Sequence, residues 1–284
     1  MTEPQAHWLG LPAGRFRTLE WPGPEPAVLF LHGLTGVAEV WQPTIARLHP
    51  SRPRCIAIDQ RGHGQSAKPV AGYGVGSFAA DVIATLDALE LEQVHLVGHS
   101  MGARVGMVAA ARYPARFRSV VIVDIGPEAW RANWVDTIAA FDRMPKEYAS
   151  IDDAVRPRDP ARGGESIDAA IASSTELEAV ARARFRVGPD GSARWWADVE
   201  ALKQTVKTQR SRGYWKEWRA LQPPALLIRG GDSKEVRPAV AARMRSENPA
   251  VAYLELAGVG HNVPLLTPGQ LSEELWQFLT SVDG

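Results

Sequence analysis

The most reactive pattern in the sequence is a serine between two glycines, Gly98-His99-Ser100-Met101-Gly102. It follows an apolar run, Val94 to Val97, and precedes an alanine-rich stretch, so Ser100 is predicted to lie on a turn between a strand and a helix. The flanking glycines leave room for the helix to pass close to the strand. Such a turn exposes the hydroxyl above a sheet, beside helical N–H groups that attract anions. The pattern therefore predicts a nucleophilic serine.

The elements around this turn follow a regular alternation of strands and helices. Short apolar runs predict strands at 27–31, 54–58, 94–97, 120–123, 225–229 and 252–256. Helical patterns separate them, and parallel neighbours need a crossover of this kind. The sequence therefore predicts an α/β fold with a doubly wound, mostly parallel sheet.

The alternation stops after the strand that ends at Asp124 and resumes at about residue 223. We expect a core domain formed by 1–126 and 223–284, with a helical cap inserted at 127–222. The insertion is rich in tryptophan, and Trp130 and Trp134 are expected to line an apolar substrate pocket. The alternative is that these tryptophans simply pack the cap against the core.

Four motifs, each at the end of a predicted strand, resemble those of the α/β-hydrolase family and occur in its order. They are HGLTG at 32–36, DQRGHGQS at 59–66, GHSMG at 98–102 and GVGHNVP at 258–264. The resemblance extends over nearly the whole chain and is to the serine esterase-like branch with a helical cap. It implies a serine nucleophile, and a serine here argues against the dehalogenation and epoxide opening that use an aspartate at this position in the family.

A serine hydroxyl needs an imidazole within hydrogen-bond reach to take its proton. Of the seven histidines, His261 in GVGHNVP matches the family's base. His99 is adjacent to the serine but is expected to point away from it at such a turn.

The carboxylate that orients this imidazole has two candidates. Asp124 ends the strand after the nucleophile helix, and some esterases of the family with a similar D-I-x-P segment use this position. The commoner family position lies in the later loop RGGDSKEV, where Asp232 falls one residue short of the expected place. We favour Asp124, with Ser233 assisting it, and retain Asp232 as the alternative acid.

The resemblance also implies an oxyanion hole made by the backbone N–H groups of Leu34 and Met101. Asp59, Arg61 and His63 are expected to hold neighbouring loops together rather than bind a metal. No metal or cofactor is expected.

Composition limits the other possibilities. Lys and Arg number 32, as do Asp and Glu, so the formal net charge is zero and neither nucleic acid nor a membrane surface is an expected partner. The single cysteine, Cys55, excludes an internal disulfide. No secretory signal is recognisable at the N-terminus. We therefore expect a cytoplasmic monomer or homodimer.

The expected function is hydrolysis of carboxylic esters with small to medium apolar acyl or alcohol groups, through an acyl-enzyme. The same residues would support hydrolysis of a lactone, a thioester or a C–C bond next to a ketone. A ligand receptor that keeps the fold without turnover is the alternative from another class.

Overall fold

The computed structural model of the chain describes residues 3–129, 134–156, 174–209 and 211–284. Trp130 and the side chain of Trp134 lie outside the described part, so the prediction that they line a pocket stays a prediction.

The strands of the described residues are β1 (Gln5–Leu11), β2 (Gly14–Trp21), β3 (Val28–Leu31), β4 (Cys55–Ile58), β5 (Val94–His99), β6 (Phe117–Val123), β7 (Phe185–Val187), β8 (Ala193–Trp195), β9 (Ala225–Gly230) and β10 (Ala252–Leu256). Eight of these form one sheet in the order β1-β2-β4-β3-β5-β6-β9-β10. Pairing is parallel from β4 to β10 and antiparallel at β1-β2 and β2-β4. The predicted α/β sheet is confirmed.

The helices of the described residues are α1 (Gln42–Ile45), α2 (Val75–Ala88), α3 (Met101–Arg112), α4 (Trp134–Asp142), α5 (Ile151–Val155), α6 (Thr175–Arg182), α7 (Val199–Gln209), α8 (Trp215–Arg219), α9 (Pro238–Glu247), α10 (Val263–Leu266) and α11 (Pro268–Asp283). Side chains of β3 alternate between the two faces of the sheet, as strand geometry requires. Leu29 and Leu31 pack in the cluster that contains α2 and α3, while Val28 and Phe30 pack in the one that contains α1 and α11. Within the described ranges, every helix is too short or too polar to span a bilayer.

The sequence reading missed the antiparallel hairpin of β1 and β2 at the sheet edge. Five of the seven residues of β1 are exposed and only Leu11 is buried, so the strand carries little of the apolar pattern by which strands are recognised. β2 has a better buried face, but Arg15, Arg17 and Glu20 interrupt its apolar positions.

The segment between β6 and β9 contains α4 to α8, and it also contains the short antiparallel pair of β7 and β8. The prediction of a helical cap did not include this pair of strands. Near its end, Tyr214 and Trp218 are buried in the same cluster as α3, and Trp218 Nε1 donates a hydrogen bond to the Met244 carbonyl. The domain boundaries at 126 and 223 stay a prediction.

Candidate active site

Ser100 lies on a sharp turn between β5 and α3. Its φ of 52° and ψ of −117° are far from helix or strand values, and a positive φ is uncommon outside glycine. A Cβ on Gly98 would lie 2.5 Å from the Gly102 carbonyl oxygen, and a Cβ on Gly102 would lie 2.3 Å from that of Leu31. Both positions therefore require glycine, because the helix passes the strands at backbone contact distance.

The turn brings Ser100 to His261, which is 161 positions away in sequence. Ser100 Oγ lies 2.9 Å from His261 Nε2, and His261 Nδ1 lies 2.7 Å from Asp124 Oδ2. With Nδ1 donating to the carboxylate, Nε2 is left as an acceptor for the serine proton. The three predicted residues form a continuous chain of hydrogen bonds.

The Asp124 carboxylate is fully buried, and its backbone has a φ of 51°. Oδ1 accepts a hydrogen bond from the Gly230 N–H at 2.9 Å, and Oδ2 accepts one from Ser233 Oγ. Asp232, the alternative acid, is exposed, and in the described structure no hydrogen bond joins its side chain to His261. The structure therefore brings Asp124 and Ser233, but not Asp232, to the histidine.

His99 forms a hydrogen bond with the backbone of His261. Its Nε2 lies 2.8 Å from the His261 carbonyl oxygen, so this nitrogen carries the proton and donates it. Burial, followed by the neighbouring His261, lowers the pKa of His99 to about 3. A neutral His99 therefore fixes the backbone of the residue that faces Ser100.

The loop after β3 approaches the serine closely, because a Cβ on Gly33 would lie 3.2 Å from Ser100 Cβ. His32 holds this loop: its Nδ1 donates to the Gly33 carbonyl at 2.7 Å, and its Nε2 accepts from the Gln60 N–H at 3.1 Å. Leu34 and Met101, the predicted oxyanion donors, line the same cavity as Ser100. Among the described residues, the N–H groups of Leu34 and Met101 form none of the backbone hydrogen bonds of turns, loops and helix caps.

Polar side chains of the DQRGHGQS loop form hydrogen bonds within the loop and to the neighbouring segment at Ala38. Asp59 accepts hydrogen bonds from the N–H groups of Ala38 at 2.8 Å and Gln65 at 2.9 Å, and His63 Nδ1 donates to the Arg61 carbonyl. Among the described residues, no group of three or more His, Cys, Asp or Glu side chains is placed to hold a metal ion.

A cavity of about 490 Å³ opens above Ser100 and His261. One part of its wall is apolar and includes Val40, Ile125 and Phe141. Another part is polar, with Arg104 from α3 and Gln209 from α7. The cavity is within the range of small-molecule sites.

Sequence reasoning missed Arg104. A lone arginine in the apolar stretch MGARVGMVAAA, one helical turn after the nucleophile, is a signal that could have identified it. Gln209 gives no comparable signal, since its helix is polar over much of its surface.

A family description, the alpha/beta hydrolase fold, matches residues 26–268. The chain belongs to this family, and it is a hydrolase.

Similar proteins differ in the reactions their names describe. The chain is 33% identical to a 2-(acetamidomethylene)succinate hydrolase from Mesorhizobium japonicum, over 87% of this chain and 85% of that one. It is 28% identical to an epoxide hydrolase from Caballeronia sordidicola, over 92% and 89% of the two chains. A crystal structure of E-2-(acetamidomethylene)succinate hydrolase superposes with a TM-score of 0.84 at 27% identity, covering 98% of this chain and 99% of that one.

Proposed function

We propose that the protein hydrolyses carboxylic esters through a covalent acyl-enzyme formed on Ser100. The observation that carries this proposal is the 2.9 Å approach of His261 Nε2 to a serine hydroxyl held on a strained turn at the floor of a cavity. A nucleophile in contact with a base, which a third group orients, is the arrangement that acyl transfer requires.

Ser100 Oγ attacks the ester carbonyl carbon while its proton passes to His261 Nε2. Asp124 stabilises the resulting imidazolium, and the N–H groups of Leu34 and Met101 bind the oxyanion. Collapse of the tetrahedral intermediate breaks the bond to the leaving alkoxide, which takes the proton from Nε2. Water then attacks the acyl-enzyme with His261 as base, which releases the acid and restores the serine.

The names of two relatives bear on which chemical bond the protein hydrolyses. One relative is named an epoxide hydrolase. Serine rather than aspartate at the turn disfavours that chemistry here, as the resemblance implied. The more similar relative is named for a succinate derivative. A small acyl or alcohol group, with its apolar part against Val40, Ile125 and Phe141, suits a cavity of about 490 Å³.

The test is Ser100→Ala, with Ser281→Ala on the exposed face of α11 as the matched control. With p-nitrophenyl butyrate, Ser100→Ala is expected to reduce kcat by a factor on the order of 10⁶. A fluorophosphonate probe should label the wild type and the control but not Ser100→Ala, with circular dichroism unchanged in all three. Undiminished turnover by Ser100→Ala would refute the proposal. Rapid labelling of the wild type without multiple turnovers would instead favour a ligand receptor.

A further inference from the structure

The polar wall of the cavity begins with Arg104, one turn after the serine on the same helix. The Arg104 N–H donates to the Ser100 carbonyl at 3.1 Å, so Arg104 lies one helical turn into α3 from the serine. Arg104 is only 5% exposed, yet its side chain lines the cavity. A guanidinium is therefore buried beside the proposed nucleophile.

Among the described residues, this buried cation forms no ion pair with a carboxylate. None of the salt bridges among the described residues includes Arg104. Its terminal nitrogens reach only carbonyl oxygens, of Gly126 at 3.2 Å, Gln209 at 3.4 Å and Glu128 at 3.5 Å, and its Nε has no hydrogen-bond partner within the described structure. These distances are at or beyond the long end of the usual range. Burying a charge in this way is unfavourable unless something compensates for it.

A second unsatisfied donor lies next to the first. Gln209, at the end of α7, is 3% exposed and lines the same cavity. Its Nε2 also lacks a hydrogen-bond partner among the described residues. Because its backbone carbonyl accepts from Arg104, the two residues are in contact. One charged and one neutral side chain at the same wall of the cavity therefore each have an N–H donor without a hydrogen-bond partner among the described residues.

Among the described residues, the charge of the cavity lining favours an anion. The ionisable side chains that these residues contribute are two arginines, Arg104 and Arg184, and one glutamate, Glu235, besides the histidines. Burial lowers the pKa of Arg104, while Tyr214, whose ring centroid lies 5.4 Å from the guanidinium carbon, and Glu235 act in the opposite direction. Buried polar groups are nearly always paired, and charge-assisted hydrogen bonds are the stronger ones.

We propose that the substrate carries a carboxylate, which binds Arg104 and Gln209 while the scissile carbonyl lies at Ser100. This inference rests on the proposed function and specifies its substrate class. The carboxylate is bound by the Arg104 guanidinium and the Gln209 side-chain amide, whose residues line the cavity and whose Nε and Nε2 lack partners among the described residues. The apolar wall then holds the rest of the molecule.

The test compares charged and neutral esters of the same shape. The charged set is the monoethyl esters of succinate, glutarate and adipate, and the neutral set has an isopropyl group in place of each carboxylate. For at least one chain length, the wild type should favour the charged ester by about tenfold to a hundredfold in kcat/KM. Arg104→Met should abolish this preference, so that kcat/KM falls at least about tenfold more for the charged ester than for the neutral one. Arg112→Met, exposed on the same helix, is the matched control and should keep the preference.

Three results would overturn the inference. The first is a wild type that hydrolyses every neutral ester at least as fast as its charged counterpart. The second is Arg104→Met retaining the preference. The third is an equal loss on both sets in a folded Arg104→Met, which is the result of a purely structural arginine that holds the carbonyls of Gly126 and Glu128.

Two further measurements keep the test decisive. If Arg104→Met does not fold, Gln209→Leu and Arg104→Lys replace it, each with an expected rise of about tenfold in KM for the charged ester alone. Calorimetry with succinate, glutarate and adipate is run on wild type and variant whether or not any ester is cleaved. Saturable binding that weakens at least about tenfold in the variant supports the inference even if ester hydrolysis fails, and no binding, or equal binding, overturns it.

Discussion

Replacing Asp124 by asparagine separates the two candidate acids most clearly. Asparagine keeps the size of the side chain and tolerates the φ of 51° at this position, so the substitution removes charge without straining the backbone. The carboxylate now accepts from the Gly230 N–H on Oδ1 and from Ser233 Oγ and His261 Nδ1 on Oδ2. An amide cannot accept on both sides.

The expected fall in kcat depends on the orientation of the asparagine amide. With its oxygen toward the Gly230 N–H, its NH₂ group faces His261 Nδ1, which must then become the acceptor. The imidazole proton moves to Nε2, so Ser100 Oγ faces a donor and loses its base. The opposite orientation would set NH₂ against the Gly230 N–H. We expect kcat to fall by about 10⁴, equivalent to about 5 kcal/mol of transition-state stabilisation.

The assay is steady-state hydrolysis of p-nitrophenyl butyrate by Asp124→Asn and by Asp232→Asn as the matched control. Since the Asp232 side chain is exposed, its variant should stay within about twofold of wild type. Thermal unfolding followed by circular dichroism shows whether both variants are folded. A larger loss in Asp232→Asn, or equal modest losses in both, would refute the assignment of Asp124.

Two further outcomes concern stability. Gly102→Ala should lower the free energy of unfolding by about 3 kcal/mol or more, because its Cβ meets a backbone oxygen at 2.3 Å. Gly74→Ala, at the N-cap of α2 with open space around its Cβ, should change it by no more than about 1 kcal/mol, and equal denaturant midpoints would contradict this. Burial lowers the pKa of His32 to about 4 and those of His63 and His99 to about 3, so the unfolded state binds more protons and stability is lost as pH falls below about 6.5. Each should contribute about 2 kcal/mol of destabilisation at pH 5, and an unchanged urea midpoint between pH 7 and pH 5 would count against neutral buried histidines.

The central strands were predictable because each is a short apolar run buried on both faces. The run at 252–256 coincides with β10, and those at 27–31 and 54–58 begin one residue before β3 and β4. β1 was missed because an exposed edge strand needs no apolar pattern.

The candidate site was predictable to the extent that it depends on motifs. Ser100 and His261 each lie in a local pattern, whereas the choice between Asp124 and Asp232 depends on where two loop carboxylates point. That direction depends on the left-handed backbone at Asp124 and on Gly230 and Ser233, which lie more than a hundred residues downstream. Arg104 illustrates the same limit, because the sequence shows that it lies one helical turn after Ser100 but does not show the cavity there.

The separation of Ser100 from its proposed base along the chain has a consequence for biosynthesis. Ser100 and its turn are synthesised early, but His261 emerges from the ribosome 161 residues later. Under the proposed mechanism, Ser100 lacks its base throughout that interval and stays unreactive while the sheet is still incomplete. Because His261 follows β10, the proposed mechanism makes activity depend on the addition of this strand to the sheet, so enzymatic activity would report that translation and folding have both finished.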